Sequence, residues 1–131
     1  EIERMTIEER AARAVELKAG CNCAQAVVLS YADKLPLEEE TLKKLAAGYG
    51  GGMGCMEGTC GALVGAVMAA GMLTDGQGTG RYAREILLGF RERCGATICK
   101  DLKGVETGKV LCPCTECVRN AVLAAGAALG E

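Results

Sequence analysis

The stretch Gly48-Tyr49-Gly50-Gly51-Gly52-Met53-Gly54-Cys55-Met56-Glu57-Gly58-Thr59-Cys60-Gly61-Ala62-Leu63-Val64-Gly65 has a glycine-rich first half and an apolar second half. Five of its first seven residues are glycine. Because glycine in a helix interior costs about 1 kcal/mol relative to alanine, we expect a loop with unusual backbone angles here. Residues 59–73 contain no charge and no proline. They predict a buried helix with Cys60 in its first turn.

Cys60 is the first candidate functional residue. A thiol in the first turn of a helix meets the positive end of the helix dipole and unbonded backbone N–H groups. These favour the thiolate, the form that binds metals or attacks disulfides. The alternative is a tight start of a helix with a buried, inert cysteine, and this stretch alone supports both interpretations equally.

Composition excludes several classes of protein. The chain has 131 residues, so we expect residues 1–131 to form a single domain, with residues 1–4 as a trimmed or non-native end. A net charge of −2 and few aromatic side chains argue against a nucleic-acid partner. The absence of histidine excludes Ser-His-Asp and Cys-His catalysis and zinc sites that mix cysteine with histidine.

Nine cysteines in a chain of this size point to metal or redox chemistry. An odd number cannot all pair within the chain, and no hydrophobic signal segment precedes the first helix. We therefore expect a cytoplasmic, reduced protein, in which clustered cysteines are rarely structural disulfides. The longest uncharged apolar run is shorter than the roughly 20 residues that a bilayer needs, so we expect no membrane insertion.

Hydrophobic periodicity predicts helices throughout and no strand. Thr6 and Glu9 form a capping box before the first helix. The predicted helices cover about residues 7–19, 22–34, a segment that opens at 36, 59–73, 81–93, 98–102 and 113–130. We therefore expect an all-α fold, a single-domain bundle of five to six helices with a Gly-rich loop before a buried central helix.

The cysteines fall into four groups near the ends of predicted helices, at positions 21/23, 55/60, 94/99 and 112/114/117. A bundle could bring one member of each group to a common point. Four thiolates around Zn²⁺ or a cluster of charge 2+ carry a net charge of −2, which is costly to bury unless donors point at the sulfurs. The backbone N–H groups of a glycine-rich loop can form such an anion-binding concavity.

Several parts of the sequence together resemble the C_GCAxxG_C_C family of redox-active proteins. They are Asn22-Cys23-Ala24-Gln25, the run Gly50-Gly51-Gly52-Met53-Gly54 that leads into Cys60-Gly61-Ala62-x-x-Gly65, and then Cys99 and Cys117. The resemblance implies an all-helical fold, a redox role, and Cys23, Cys60, Cys99 and Cys117 as the characteristic cysteines. Split-Soret cytochromes join a related helical part to a haem module, which implies that the helical part can hold an iron–sulfur centre. Haem is not carried over, because the chain has no histidine and no haem attachment sequence.

Five further cysteines depart from the plain family pattern and leave the ligand set open. They could add ligands, bind a second metal or form disulfides: Cys21, Cys55, Cys94, Cys112 and Cys114. For Cys94, a role as a small apolar core residue is the expectation.

Three hypotheses follow, in order of preference. The first is electron transfer by an iron–sulfur cluster on Cys23, Cys60, Cys99 and Cys117, with cofactor-binding glycines at Gly51, Gly52, Gly54 and Gly61. The second is thiol–disulfide exchange, in which Cys60 attacks and Cys23 or Cys55 resolves. The C-x-x-C of Cys114 and Cys117 is an alternative reactive pair, although no thioredoxin-like βαβ pattern surrounds it. The third is a structural four-cysteine zinc site, or a bundle without a cofactor.

The sequence identifies no site that transforms a substrate. If the protein is an enzyme, a thiol–disulfide oxidoreductase is the expected class. The expected partner is a redox protein that the sequence does not identify, and a homodimer is compatible with the sequence.

Overall fold

The computed structural model describes residues 5–130, which fold into seven α-helices. The helices are α1 (Ile7–Leu17), α2 (Cys23–Ser30), α3 (Glu39–Ala46), α4 (Gly61–Leu73), α5 (Thr79–Cys94), α6 (Cys99–Lys103) and α7 (Cys114–Leu129). Over the described range, the β pairing is limited to an isolated antiparallel bridge between Thr59 and Ile98. The all-α prediction is confirmed, although the helices number seven and not five to six. Residues 1–4, predicted to be a trimmed or non-native end, lie outside the described residues.

Local sequence sets the helix limits. Thr6 caps α1 and Asn22 caps α2, each in a reciprocal capping box with a residue three positions later. The third helix begins at Glu39 and not at Pro36, and Glu38 is the extended N-cap residue before it. Left-handed Gly95 ends α5.

α4 packs against α2, α5 and α7, and α7 also packs against α1. The small residues of α4 permit a close approach to α2. A Cβ on Gly65 would lie 2.7 Å from the Ala24 carbonyl oxygen and 3.1 Å from the Val27 Cβ. The two backbones are thus closer than any side chain at position 65 would allow.

The glycine-rich segment is more ordered than the predicted loop. It contains a 3₁₀ turn at Ala47–Tyr49 and a π-type turn at Gly52–Met56. Gly51, Gly52, Met53 and Gly54 all have positive φ, a conformation that glycine adopts without steric cost. The many glycines therefore wind the chain in a left-handed sense and do not leave it irregular.

Arg10 fixes the side of the bundle formed by α1 and α2. Its guanidinium is buried, donates to both carboxylate oxygens of Asp33 at 2.6 and 3.0 Å, and also donates to the Ser30 carbonyl. It lies 4.7 Å from the centroid of the Tyr31 ring.

Within residues 5–130 no helix is both long enough and apolar enough to cross a bilayer.

Candidate functional site

Five cysteines surround a cavity of about 330 Å³ at the point where four helices begin. The cysteines are Cys23, Cys60, Cys99, Cys114 and Cys117, and the remaining lining residues are Lys18, Asn22, Gly51, Met56 and Lys103. Cys23 is the first residue of α2, Cys60 the N-cap of α4, Cys99 the first residue of α6, and Cys114 the first residue of α7. The positive ends of the helix dipoles of α2, α4 and α7 are therefore near the sulfurs.

Two short extended segments hold Cys60 and Cys99 side by side. The Cys60 amide donates to the Thr97 carbonyl at 2.8 Å, and the Cys99 amide donates to the Gly58 carbonyl at 2.9 Å. These bonds flank the bridge between residues 59 and 98. These bonds hold the start of α4 beside the start of α6, although the two helices are distant in sequence.

The segment Asn22-Cys23-Ala24-Gln25 joins α2 to the glycine-rich segment. The Asn22 side chain donates to the Ala47 carbonyl at 3.0 Å, and the Gln25 side chain donates to the Lys43 carbonyl at 3.0 Å. These bonds bring Gly51 over the start of α2, where its backbone N–H donates to the Cys23 sulfur. The predicted donation from the glycine-rich segment to a sulfur is therefore present at Gly51.

The other predicted glycines differ in how close they lie to the sulfurs. A Cβ on Gly52 would lie 2.5 Å from the Cys99 Cβ and 3.3 Å from its Sγ. A Cβ on Gly61 would lie 2.9 Å from the Cys23 Sγ. A Cβ on Gly54 would have no neighbour within 4 Å. Gly52 and Gly61 thus pack directly against the cavity cysteines, and Gly54 is at the exposed side of the same turn.

The thiols of Cys23, Cys60 and Cys117 form a hydrogen-bonded series in which Cys60 is central. Hydrogen bonding to Cys117, together with burial, raises the pKa of Cys60 to about 11. Hydrogen bonding to Cys60 and burial raise the pKa of Cys23 far above its usual range. For the metal-free chain, the raised pKa favours the neutral Cys60 thiol, one of the two interpretations that the sequence left open. The Ala62 N–H and the hydrogen bond with Cys23 lower the pKa of Cys60, but the hydrogen bond with Cys117 and burial outweigh them.

Lys18 and Lys103 line the cavity, and neither was predicted from the sequence. Lys103 Nζ lies 3.5 Å from the Cys117 Sγ and 3.2 Å from the Cys112 carbonyl oxygen. Burial lowers the pKa of Lys103, but the nearby Cys117 and Cys114 outweigh it, so the pKa is raised overall and Lys103 stays charged. A signal for this residue exists in the sequence, because positions 99 and 103 share one helix face.

The additional cysteines separate into three kinds. Cys114 lines the cavity. Cys21 lies outside α2 and donates to the Leu17 carbonyl at 3.1 Å, while Cys55 is exposed. Cys94 and Cys112 are buried beside Cys117, and the three Sγ atoms lie within 4.8 Å of one another. Cys94 is therefore part of a thiol cluster as well as of the core, and no disulfide joins any of the nine cysteines.

The spacing of the sulfurs differs between the cavity and this second cluster. Over residues 5–130, the one group of three metal-ligating side chains whose atoms all lie within 4.8 Å is Cys94, Cys112 and Cys117. No three of Cys23, Cys60, Cys99 and Cys117 meet that limit. The cavity sulfurs thus ring an open volume, whereas the second cluster is compact.

Comparison with known families agrees with this arrangement. The model of the C_GCAxxG_C_C family, described as "Putative redox-active protein (C_GCAxxG_C_C)", matches residues 21–127. The chain belongs to this family. Its matched region contains all nine cysteines and every residue that lines the cavity except Lys18. Searches of curated proteins and of solved structures found no match.

Proposed function

We propose that this C_GCAxxG_C_C protein transfers electrons through an iron–sulfur cluster held by Cys23, Cys60, Cys99 and Cys117. One observation carries the proposal: four thiols from four different helices line the same cavity. Thiolates are the usual ligands of iron–sulfur clusters. A redox-active family and a set of thiols without any histidine both favour this chemistry.

The spacing of the sulfurs favours a polynuclear group over a single zinc ion. Around a tetrahedral zinc ion, with Zn–S distances of about 2.3 Å, sulfurs lie about 3.8 Å apart. No three of the four cavity sulfurs lie within 4.8 Å of one another, and the cavity that they line has a volume of about 330 Å³. A cluster of several metal atoms fits this spacing better than one ion does, because all four sulfurs would have to come within about 3.8 Å of one another to bind a single zinc ion.

The electrostatics of the cavity suit an anionic group. Four thiolates and a core of charge 2+ carry a net charge of −2. Against this charge the chain places the ammonium groups of Lys18 and Lys103, the Gly51 N–H and the starts of three longer helices. These donors would offset the cost of burial and, by stabilising negative charge on sulfur, raise the reduction potential. The chain's own contribution is thus to hold, shield and tune the cluster.

A redox protein in the same compartment is the proposed partner, and the cytoplasm is the proposed location. The sulfurs of Cys23, Cys60, Cys99 and Cys117 are shielded from solvent, since all four residues are buried. Electrons would therefore pass between the partner and the cavity without release of intermediates into water. No conversion of a substrate is proposed.

Anaerobic purification followed by reconstitution with iron and sulfide tests the proposal. We expect a brown protein that dithionite bleaches, with iron and sulfide bound in stoichiometric amounts. Serine substitution of Cys23, Cys60 or Cys99 should abolish the colour, because each removes a ligand. The matched control is Cys55→Ser, which removes an exposed thiol outside the cavity.

A colourless preparation after reconstitution would contradict the proposal. So would a set of variants in which Cys23→Ser and Cys99→Ser keep the wild-type spectrum. Circular dichroism of each variant should remain helical, which ensures that a lost cluster reflects a lost ligand and not an unfolded chain.

Thiol–disulfide exchange is the second candidate, and the hydrogen bond between Cys23 and Cys60 favours it. An oxidised dithiol partner would accept two electrons and two protons as the Cys23–Cys60 disulfide forms. A pKa of about 11 for Cys60 opposes this reaction near neutral pH, because the thiolate is the attacking form. Mass spectrometry after mild oxidation should find a loss of about 2 Da per bridge if exchange occurs. An unchanged mass would eliminate this candidate.

A further inference from the structure

We propose that Cys94, Cys112 and Cys117 form a second site, which shares Cys117 with the cavity and binds one soft cation in three-coordinate geometry, with Cu(I) as the ion that suits it best. Cys94 is the last residue of α5, Cys112 precedes α7 and Cys117 lies in its first turns. Three separate chain positions therefore supply the donors.

The distances between the three sulfurs fit one ion. The Sγ atoms all lie within 4.8 Å of one another. For metal–sulfur distances of about 2.3 Å, an ion in the plane of three sulfurs places them about 4.0 Å apart. Each pair therefore has to close by less than about 1 Å, a change that side-chain rotation can supply without movement of the helices.

The donor set selects a soft ion of low coordination number. Within the described residues, no further cysteine, aspartate or glutamate joins the three within 4.8 Å, so zinc would lack its fourth protein ligand. Thiolates prefer Cu(I) among the soft ions. All three cysteines are almost fully buried, at 4 %, 4 % and 0 % exposure, which keeps water from completing a larger coordination shell.

Hydrogen-bond donors lie against the sulfurs of this cluster. The Asn120 side-chain amide donates to the Cys94 Sγ at 3.4 Å and lies 3.9 Å from the Cys112 Sγ. Lys103 Nζ lies 3.5 Å from the Cys117 Sγ. Each sulfur thus has a donor, as ligating atoms usually do. The site rests on these contacts. Because Cys117 is also a proposed cluster ligand, copper and the cluster would compete for its sulfur, and the copper site is a property of the metal-free chain.

Anaerobic titration of the metal-free full chain with Cu(I), in competition with a chromophoric Cu(I) chelator, tests the proposal. We expect one Cu(I) per chain to bind first, with three sulfur neighbours in its X-ray absorption spectrum. Cys94→Ser and Cys112→Ser should each weaken this binding at least about 100-fold. Each removes a metal ligand, and even the loss of a residue that hydrogen-bonds a ligand costs about 10- to 100-fold. Cys23→Ser and Cys55→Ser should bind as the wild type does.

The same variants separate this proposal from the iron–sulfur proposal. Cys23→Ser should lose the cluster and keep the copper, whereas Cys94→Ser should lose the copper and keep the cluster. Wild-type copper affinity in both Cys94→Ser and Cys112→Ser would overturn the second site. Loss of copper in Cys23→Ser would place the ion in the cavity and also overturn it. If a variant does not fold, the wild-type spectrum decides, because any sulfur number other than three contradicts the proposal.

Discussion

Gly52→Ala should disturb the cavity through Cys99, whereas Gly54→Ala in the same turn should not. Gly52 has φ +60°, and a Cβ there would lie 2.5 Å from the Cys99 Cβ and 3.1 Å from the Gly58 carbonyl oxygen. Gly54 provides a matched control, because it has φ +78° in the same turn and its Cβ would have no neighbour within 4 Å. The two substitutions therefore share the backbone strain and differ in the contact with Cys99.

The expected magnitudes follow from these two terms. A left-handed conformation costs alanine about 1–2 kcal/mol, so Gly54→Ala should lower the free energy of unfolding by about that amount. Overpacking adds about 1–3 kcal/mol, so Gly52→Ala should lower it by about 2–5 kcal/mol. The backbone at position 58 cannot move freely, since its N–H and carbonyl bond to Gly52 and Cys99. Cys99 should therefore be displaced.

Urea denaturation followed by far-ultraviolet circular dichroism gives the free energies of unfolding, and iron bound after reconstitution reports on Cys99. We expect Gly52→Ala to unfold at lower urea than Gly54→Ala and to bind less iron. Equal urea midpoints and equal iron content in the two variants would refute the reasoning, because the contact with Cys99 would then carry no energy.

Three further outcomes are expected. Lys103→Gln should lower the reduction potential of the reconstituted protein by up to about 60 mV for one electron, measured by redox titration. The control is Lys100→Gln, which should leave the potential unchanged because the ion pairs of Lys100 lie outside the cavity. The metal-free protein should lose up to about 3 kcal/mol of stability between about pH 8.5 and 11, measured as urea midpoints. Folding raises the pKa of Cys60 to about 11. The unfolded chain therefore releases the Cys60 proton at a lower pH than the folded chain, so stability falls as the pH rises. A flat profile would contradict the burial of neutral thiols. Arg10→Met should cost about 2–3 kcal/mol in the same assay, because it removes charged hydrogen bonds from a buried group, and Asp33→Asn should cost less, since half of that side chain is exposed. An equal loss in the two variants would place the energy in the ion pair alone.

The fold could be predicted because its signals are local. The capping boxes at Thr6 and Asn22 depend on residues three positions apart, and the uncharged run that forms α4 is contiguous. The stated count of five to six helices was too low. The short helix α6 was predicted at 98–102, and left-handed Gly95 and Gly104 delimit it in the structure. Glycine patterns alone do not reveal which glycine adopts that conformation.

By itself, the sequence determined an all-α chain that is rich in thiols. Periodicity and composition are sufficient for these conclusions, because helix formation and ligand type depend on residue identity and short-range spacing. The choice of Cys23, Cys60, Cys99 and Cys117 came from the resemblance to the family and stays a prediction. The glycine-rich segment was also recognisable as a departure from helix.

Only the tertiary structure decided which sulfurs are neighbours and which protonation state they favour. Cys94 meets Cys112 and Cys117 because α5 packs against α7, and helix packing is not encoded in the spacing of cysteines along the chain. The pKa of Cys60 is raised because Cys117 hydrogen-bonds to it and because burial disfavours its thiolate. The Ala62 N–H at the start of its own helix, the effect that the sequence predicts, lowers the pKa and is weaker.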